Sequence, residues 1–211
     1  MWISALWRYP VKSMAGEPLD RAELRPDGIA GDRGVQVLDA RGRVVTARTH
    51  PRLLGHRGTL DPSGEPLVDG RPWRSAEVAR EVVAAAGPGA HLARGGRRFD
   101  VLPLLVATDG AIEAFGHDLR RLRPNLVLGG VPGLAEREWE GRRLRVGTTV
   151  VIGFEHLRQR CVMTTFDPDT QEQDVEVFYG IQRDFDGLLA LNAEVVHGGT
   201  VAVGDPVELM E

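Results

Sequence analysis

The chain is 211 residues long, enough to bury a sizeable core as one large domain or two small ones. Its 26 basic and 30 acidic side chains leave a formal charge of −4, so the molecule as a whole offers nucleic acid no attraction and any anion must be bound locally. A single cysteine excludes an internal disulfide, a Cys-rich zinc site and a thiolate-held iron–sulfur cluster, and makes a reducing cytoplasm the expected compartment.

The first half reads as short strands. Trp2 to Arg8 is apolar and β-prone, Gly34 to Leu38 alternates, and the turn Asp39 to Gly42 leads into Arg43 to Ala47, which predicts a hairpin. Further strands are expected at His56 to Leu60 and Pro66 to Val68. Ser75 can then cap a helix that sets Val78, Val82 and Ala86 on one face and stops at Gly87 and Pro88. The stretch Gly87 to Arg98 is rich in glycine and arginine and reads as a linker, which puts a boundary near residue 90 and domains at 1–90 and 91–211.

Beyond it, Val101 to Ala107 reads as a buried strand, and Thr108 can cap a helix whose Ile112, Phe115, Leu119 and Leu122 share a face until Pro124 ends it. Leu126 to Gly130 and Arg143 to Phe154 follow as strands, the second turning or bending at Gly147. Gly199 to Leu209 reads as a hairpin around Gly204, and the four tryptophans read as core or barrel plugs. No stretch approaches the roughly 20 apolar residues that cross a bilayer, so neither membrane nor nucleic acid is an expected partner. The sum is a strand-dominated α+β chain with a curved sheet or barrel and a few helices.

Cys161 stands in "RCVMTTFDPDT" between an apolar run and a run of hydroxyls and acids. It reads as a buried small hydrophobe, a nucleophile, or a metal ligand whose partners come from outside the protein. Arg158, Arg160, Thr164 and Thr165 surround it, and nearby positive charge favours the thiolate. The histidines, at 50, 56, 91, 117, 156 and 197, sit in no nucleophile motif, and there is no HExxH, no helical histidine pair and no EF-hand loop. A metal delivered by an organic cofactor needs only one soft protein ligand plus groups to hold the cofactor's anionic handle.

Several residues could grip such a handle. Lys12 and Ser13 follow a proline that stiffens the strand exit, with plain solvation as the competing reading for Lys12. Arg33 lies between a glycine-rich turn and a strand, and either reaches a ligand or pairs with Asp32. Arg123 stands at the junction after the helix, and Asn125 occupies a turn where it can satisfy backbone groups instead.

Taken in order, "YPVKSMAG", "GIAGDRGVQVLDARGRVVTAR", "RPNLVLGG", "RCVMTTFDPDT" and "VGDPVEL" resemble the successive motifs of the MOSC family, the molybdenum-cofactor sulfurase C-terminal domain proteins, which include the mitochondrial amidoxime-reducing component and its bacterial relatives. The resemblance implies an N-terminal β-barrel-like domain followed by the MOSC β-barrel. It implies molybdenum cofactor (Mo-molybdopterin) with Cys161 as metal ligand and catalytic centre. Arg160 and Gln159 would adjoin the cofactor, Lys12, Ser13 and Arg33 would hold its phosphate from the first half, and Arg123 and Asn125 would reach it from the second. Thr164, Thr165, Asp167 and Asp169 would form the substrate mouth. The implied activity is an oxidoreductase that reduces N-hydroxylated compounds or N- and S-oxides with electrons from a separate donor protein; the alternative is a carrier of cofactor or sulfur. Two departures stand out: "QEQDVEV" follows Thr170 where relatives often have glycine, and Asn192 stands near a family tyrosine.

Overall fold

The computed structural model describes residues 1–210. Its backbone is an eight-stranded sheet in the order Val207–Met210, Arg143–Val146, Val150–Gln159, Leu188–His197, Leu104–Thr108, Leu126–Gly129, Trp2–Arg8 and Glu17–Leu19. Neighbours are antiparallel except Leu104–Thr108 and Leu126–Gly129, which run parallel. The sheet curls until Trp2 bridges Pro206, and Ile3 N–H donates to the Asp205 carbonyl at 3.0 Å, but it does not close into a continuous barrel.

Three smaller sheets complete the strand content. His91–Arg94, Val35–Leu38 and Val44–Val45 form one, Gly58–Leu60, Pro66–Val68 and Arg71–Pro72 another, and Gly199–Ala202, Arg21–Arg25 and Gly28–Ile29 a third. Helix α1, Ala76–Ala86, is capped by the Ser75 hydroxyl, which accepts from Val78 N–H, and it buries the expected Val78, Val82 and Ala86. Helix α2, Asp109–Phe115, spans the parallel crossover, and helix α3, Glu176–Phe185, precedes the strand Leu188–His197.

The apolar residues sort into three clusters. Ile3, Leu6, Leu104, Val106, Leu126, Leu144, Ile152 and Leu191 fill the curl of the large sheet. Val11, Met14, Val35, Leu53, Val78 and Val82 form a second core under α1, joined by Phe166 from the second half of the chain. Ala111, Phe115, Leu122, Val177 and Ile181 seal the two shorter-range helices against the sheet. Strand pairing also crosses the halves: Trp2–Arg8 lies in the large sheet, and Gly199–Ala202 pairs with Arg21–Arg25.

Several expectations are corrected. The helix after Thr108 stops at Gly116, whose left-handed φ of 70° suits glycine, and only a short 3-10 turn, Leu119–Arg121, follows before Pro124. Gly199–Ala202 and Val207–Met210 do not pair with each other; the latter joins Arg143–Val146. Trp73 and Trp139 are buried, but Trp2 is 47% exposed and lies flat over Gly129 and Gly130, where a Cβ would strike its ring. Gly147 does turn, with φ 58°, between Arg143–Val146 and Val150–Gln159.

Candidate functional site

The strand Val150–Gln159 loses regular register against Leu188–His197 after Phe154 and again after Leu157. Such bulges bend a strand and re-aim its side chains. Arg158, Gln159, Arg160 and Cys161 are thereby carried around the end of the sheet, and Cys161 opens a short 3-10 turn, Val162–Thr165, with its thiol partly exposed. Opposite, the chain leaving Trp2–Arg8 is pinned when Lys12 N–H donates to the Val35 carbonyl at 2.8 Å and Arg33 N–H to the Tyr9 carbonyl at 2.7 Å.

Ser13, Arg33 and Arg123 all adopt left-handed backbone, with φ of 72°, 51° and 57°. Non-glycine residues occupy that region rarely and at a cost, and such strain gathers at functional sites. The three segments converge here. Lys12, Ser13, Arg33, Arg123, Asn125, Gln159, Arg160 and Cys161 all line one cleft between the two halves.

That cleft is strongly cationic in a chain whose net charge is negative. Lys12, Arg33, Arg48, Arg98, Arg121, Arg123, Arg158 and Arg160 line it, and among the described residues Asp100 is the single acid on the wall. Burial would raise the Asp100 carboxyl, but the Lys12 and Arg48 cations outweigh it and hold the pKa down to about 2. Burial pushes the Arg123 guanidinium down to about 10, against the favourable pull of Tyr9, and Arg160 likewise to about 10, against the pull of Cys161. Both remain charged at neutral pH. An anion between them would relieve the cost of burying those charges.

A fixed framework stands behind the wall. Asp32 is fully buried; its carboxylate accepts from Tyr9 N–H at 2.6 Å, from Asn125 Nδ2 at 3.2 Å and from the Arg33 guanidinium. Asn125 Nδ2 also donates to the Trp7 carbonyl at 3.3 Å, while its Oδ1 accepts from Leu105 N–H at 3.2 Å and Arg33 Nη1 at 3.4 Å. The amide is therefore saturated by protein: Asn125 borders the cleft but serves as a latch that orients Arg33. The Tyr9 ring, pushed up to about 12 by burial, lies under two guanidinium groups, Arg123 Cζ at 4.3 Å and Arg33 Cζ at 4.9 Å from its centroid.

The four residues expected at the mouth are not gathered in the cleft. Thr164 and Thr165 are buried, and their hydroxyls donate to the Cys161 and Val162 carbonyls at 2.9 and 2.7 Å, which closes the 3-10 turn. Asp167 accepts from Arg121 and from the backbone of Asp169 and Thr170, and Asp169 pairs with Arg120 at 2.7 Å. These side chains build the loop behind Cys161, and Asp169 borders a neighbouring hollow instead. Asn192 is buried; it donates to the His156 carbonyl at 3.1 Å and accepts from Arg158 Nη1 at 3.3 Å, bracing the bulged strand.

Three site residues went unread in the sequence: Tyr9, Arg48 and Asp100. Arg48 lies beside Cys161 in the cleft, and that sulfur together with Asp100 holds its proton more firmly than usual. The motif "YPVKS" and the arginine of "TAR" contained the signal, but nothing in spacing alone sends Arg48 across to the second half.

The donor set fits a phosphate beside a soft metal. Arg160 Nη2 donates to the Leu122 carbonyl at 2.8 Å, yet its buried Nε has no partner, and among the described residues no side-chain or carbonyl oxygen is bonded to the Arg123 guanidinium. Unpaired buried donors are rare, so the Arg160 Nε marks a missing acceptor, with the partly buried Arg123 guanidinium beside it on the same wall. The one thiol of the chain lies on the same wall.

Comparison with known proteins agrees with this arrangement. Residues 1–81 match the MOSC N-terminal beta barrel domain and residues 108–208 the MOSC domain. Mitochondrial amidoxime-reducing component 1 of Mus musculus is 26% identical over 99% of this chain and 82% of its own length, and mitochondrial amidoxime reducing component 2 of Macaca fascicularis 25% over 99% and 83%. Among solved structures, the YUAD protein of Bacillus subtilis superposes with a TM-score of 0.50 at 16% identity, over 99% of this chain and 98% of that one, a likeness of fold. With its N-terminal beta barrel domain matched over residues 1–81 and its MOSC domain over 108–208, the chain belongs to the MOSC family.

Proposed function

We propose that the cleft holds molybdenum cofactor, and that the loaded protein reduces N-hydroxylated small molecules, or N- and S-oxides, with electrons from a separate donor protein. The observation that supports this most is the convergence of Cys161 with two arginines, Arg123 and Arg160, whose guanidinium donors lack acidic partners. Cys161 Sγ would ligate the metal, and Arg33, Arg123 and Arg160, with Lys12 and Ser13, would hold the phosphate. Molybdenum in its pterin supplies two-electron oxygen-atom chemistry when bound. The chain's part is to present one thiolate beside Arg48, to fix the handle by charge and to leave one face of the sulfur open. The relatives' printed names, amidoxime-reducing components, favour the N-hydroxylated substrate class. The two walls of the cleft are read as residues 1–94 and 101–210, joined by Gly95–Asp100, because His91–Arg94, expected within the linker and beyond a boundary at residue 90, pairs with Val35–Leu38 of the first half.

The test is molybdenum and pterin content of protein purified from a host that makes the cofactor, followed by reduction of an aromatic amidoxime with a chemical electron donor. Stoichiometric metal and turnover are expected, both absent in Cys161→Ala. Metal-free protein from that host overturns the reading. Loaded protein that reduces nothing but activates a cofactor-free enzyme identifies a carrier instead.

A further inference from the structure

The segment Gly95–Asp100 crosses between the halves as a strap without helix or strand. Gly95 and Gly96 give it left-handed turns, φ 92° and 77°, and Arg98 ties it down by donating to the Asp32 carbonyl at 2.9 Å. At its end Asp100 turns into the cleft. Its Oδ1 accepts from Lys12 Nζ at 3.1 Å, and its Oδ2 accepts from Arg48 and, at 3.4 Å, from Arg158. Three cations from three separate segments thus meet on one carboxylate. Lys12 Nζ donates its second bond to the Arg97 carbonyl at 3.1 Å, also on the strap.

The cationic wall is therefore divided. Among the described residues Arg123 and Arg160 form no ion pair with an acid, while Lys12, Arg48 and Arg158 are already compensated from within the chain by Asp100. We propose that Asp100 is a built-in stand-in for the ligand's anion, and that a phosphate-bearing ligand completes its site by ousting this carboxylate and loosening the strap. The idea rests on the reading that the cleft takes a phosphate group, but not on molybdenum.

Charge and geometry decide which anions can do this. A phosphate monoester brings close to two negative charges and three acceptor oxygens, enough to span Arg123 and Arg160 and still satisfy the cations Asp100 gives up. A simple carboxylate would exchange one charge for one and gain nothing. Asp100 is thus a specificity-determining residue that acts by competition.

The experiment uses the cofactor-free full chain and inorganic phosphate. Asp100→Asn keeps the shape and removes the charge, so phosphate is expected to bind it on the order of tenfold more tightly than wild type by calorimetry, the worth of about one charge-assisted hydrogen bond. Equal or weaker binding by a folded Asp100→Asn overturns the proposal, as does no phosphate binding to either protein. A second measurement needs no variant: saturating phosphate is expected to speed tryptic cleavage after Arg97 and Arg98 in wild type several-fold, and unchanged or slower cleavage overturns displacement. Molybdenum is not read here, so tight phosphate capture by a protein that never acquires the metal in cells would retain this inference and sink the cofactor reading.

Discussion

Cys161 and Glu136 are both single side chains whose surroundings set their behaviour, and they lead to opposite expectations. The Cys161 thiol is partly exposed and caps nothing, so Cys161→Ala should leave the unfolding midpoint nearly unchanged. Metal content, read by mass spectrometry, should fall to background. A large stability loss with retained metal would instead favour the inert-thiol reading. Glu136 is sealed from solvent; its Oε2 accepts from the Thr108 hydroxyl at 3.1 Å and its Oε1 has no partner. Burial raises its pKa above the usual 4.5, so the folded state keeps a proton that the unfolded chain has already released. Stability must then fall as pH rises from about 4.5 through the raised value. Glu136→Gln should be more stable than wild type at pH 7 and should lose that advantage below pH 4.5 in denaturant titrations. At this scale the cations and the thiol that line the cleft are legible because motifs name them. Thr164, Thr165, Asp167 and Asp169 misled because hydroxyls and acids beside a reactive residue look the same in sequence whether they face a ligand or close a turn.

Among elements, the bulged strand Val150–Gln159 and the latch at Asn125 do most to position the site. Asn125 ties the exit of Trp2–Arg8, the strand Leu104–Thr108 and the Asp32–Arg33 turn through one amide. Asn125→Ala leaves Leu105 N–H without its partner and takes one of two donors from Asp32 Oδ2, which keeps Arg33, so it should cost about 1–3 kcal/mol in chemical denaturation, as one unsatisfied group would. Loss of Arg33 orientation should weaken phosphate binding in parallel, and a variant with unchanged affinity would reduce Asn125 to a purely structural role. Element prediction succeeded where period and cap agreed, as in α1. It failed where they diverged. Gly116 interrupted an apolar face that continued past it, and in α3 the apolar triplet Val177, Ile181 and Phe185 was masked by acids, a glycine and the absence of a capping side chain at Val175. The partners of Gly199–Ala202 and Val207–Met210 were out of reach altogether, because local turn residues suggest a hairpin without fixing which strand lies alongside.

For the molecule as a whole, the two matched regions, residues 1–81 and 108–208, follow one another in sequence but interleave in space. Trp2–Arg8 completes the large sheet beside Leu126–Gly129, and Gly199–Ala202 completes the small sheet with Arg21–Arg25. A fragment of residues 1–94 would expose Ile3 and Leu6 and leave Arg21–Arg25 with an open edge. It should show no cooperative thermal transition by circular dichroism, whereas the full chain should unfold in one step. A cooperative transition in the fragment would mean that the halves are independent.

That interleaving bears on how the chain is made. The seven residues of Trp2–Arg8 leave the ribosome more than a hundred positions ahead of their long-range neighbour Leu126–Gly129. Until then an apolar strand waits with one edge free, a form prone to wrong pairing. Nascent protein should therefore lean on holding chaperones through much of translation, and the cleft can take shape only after Val150–Gln159 and Leu188–His197, which carry its far wall, are released.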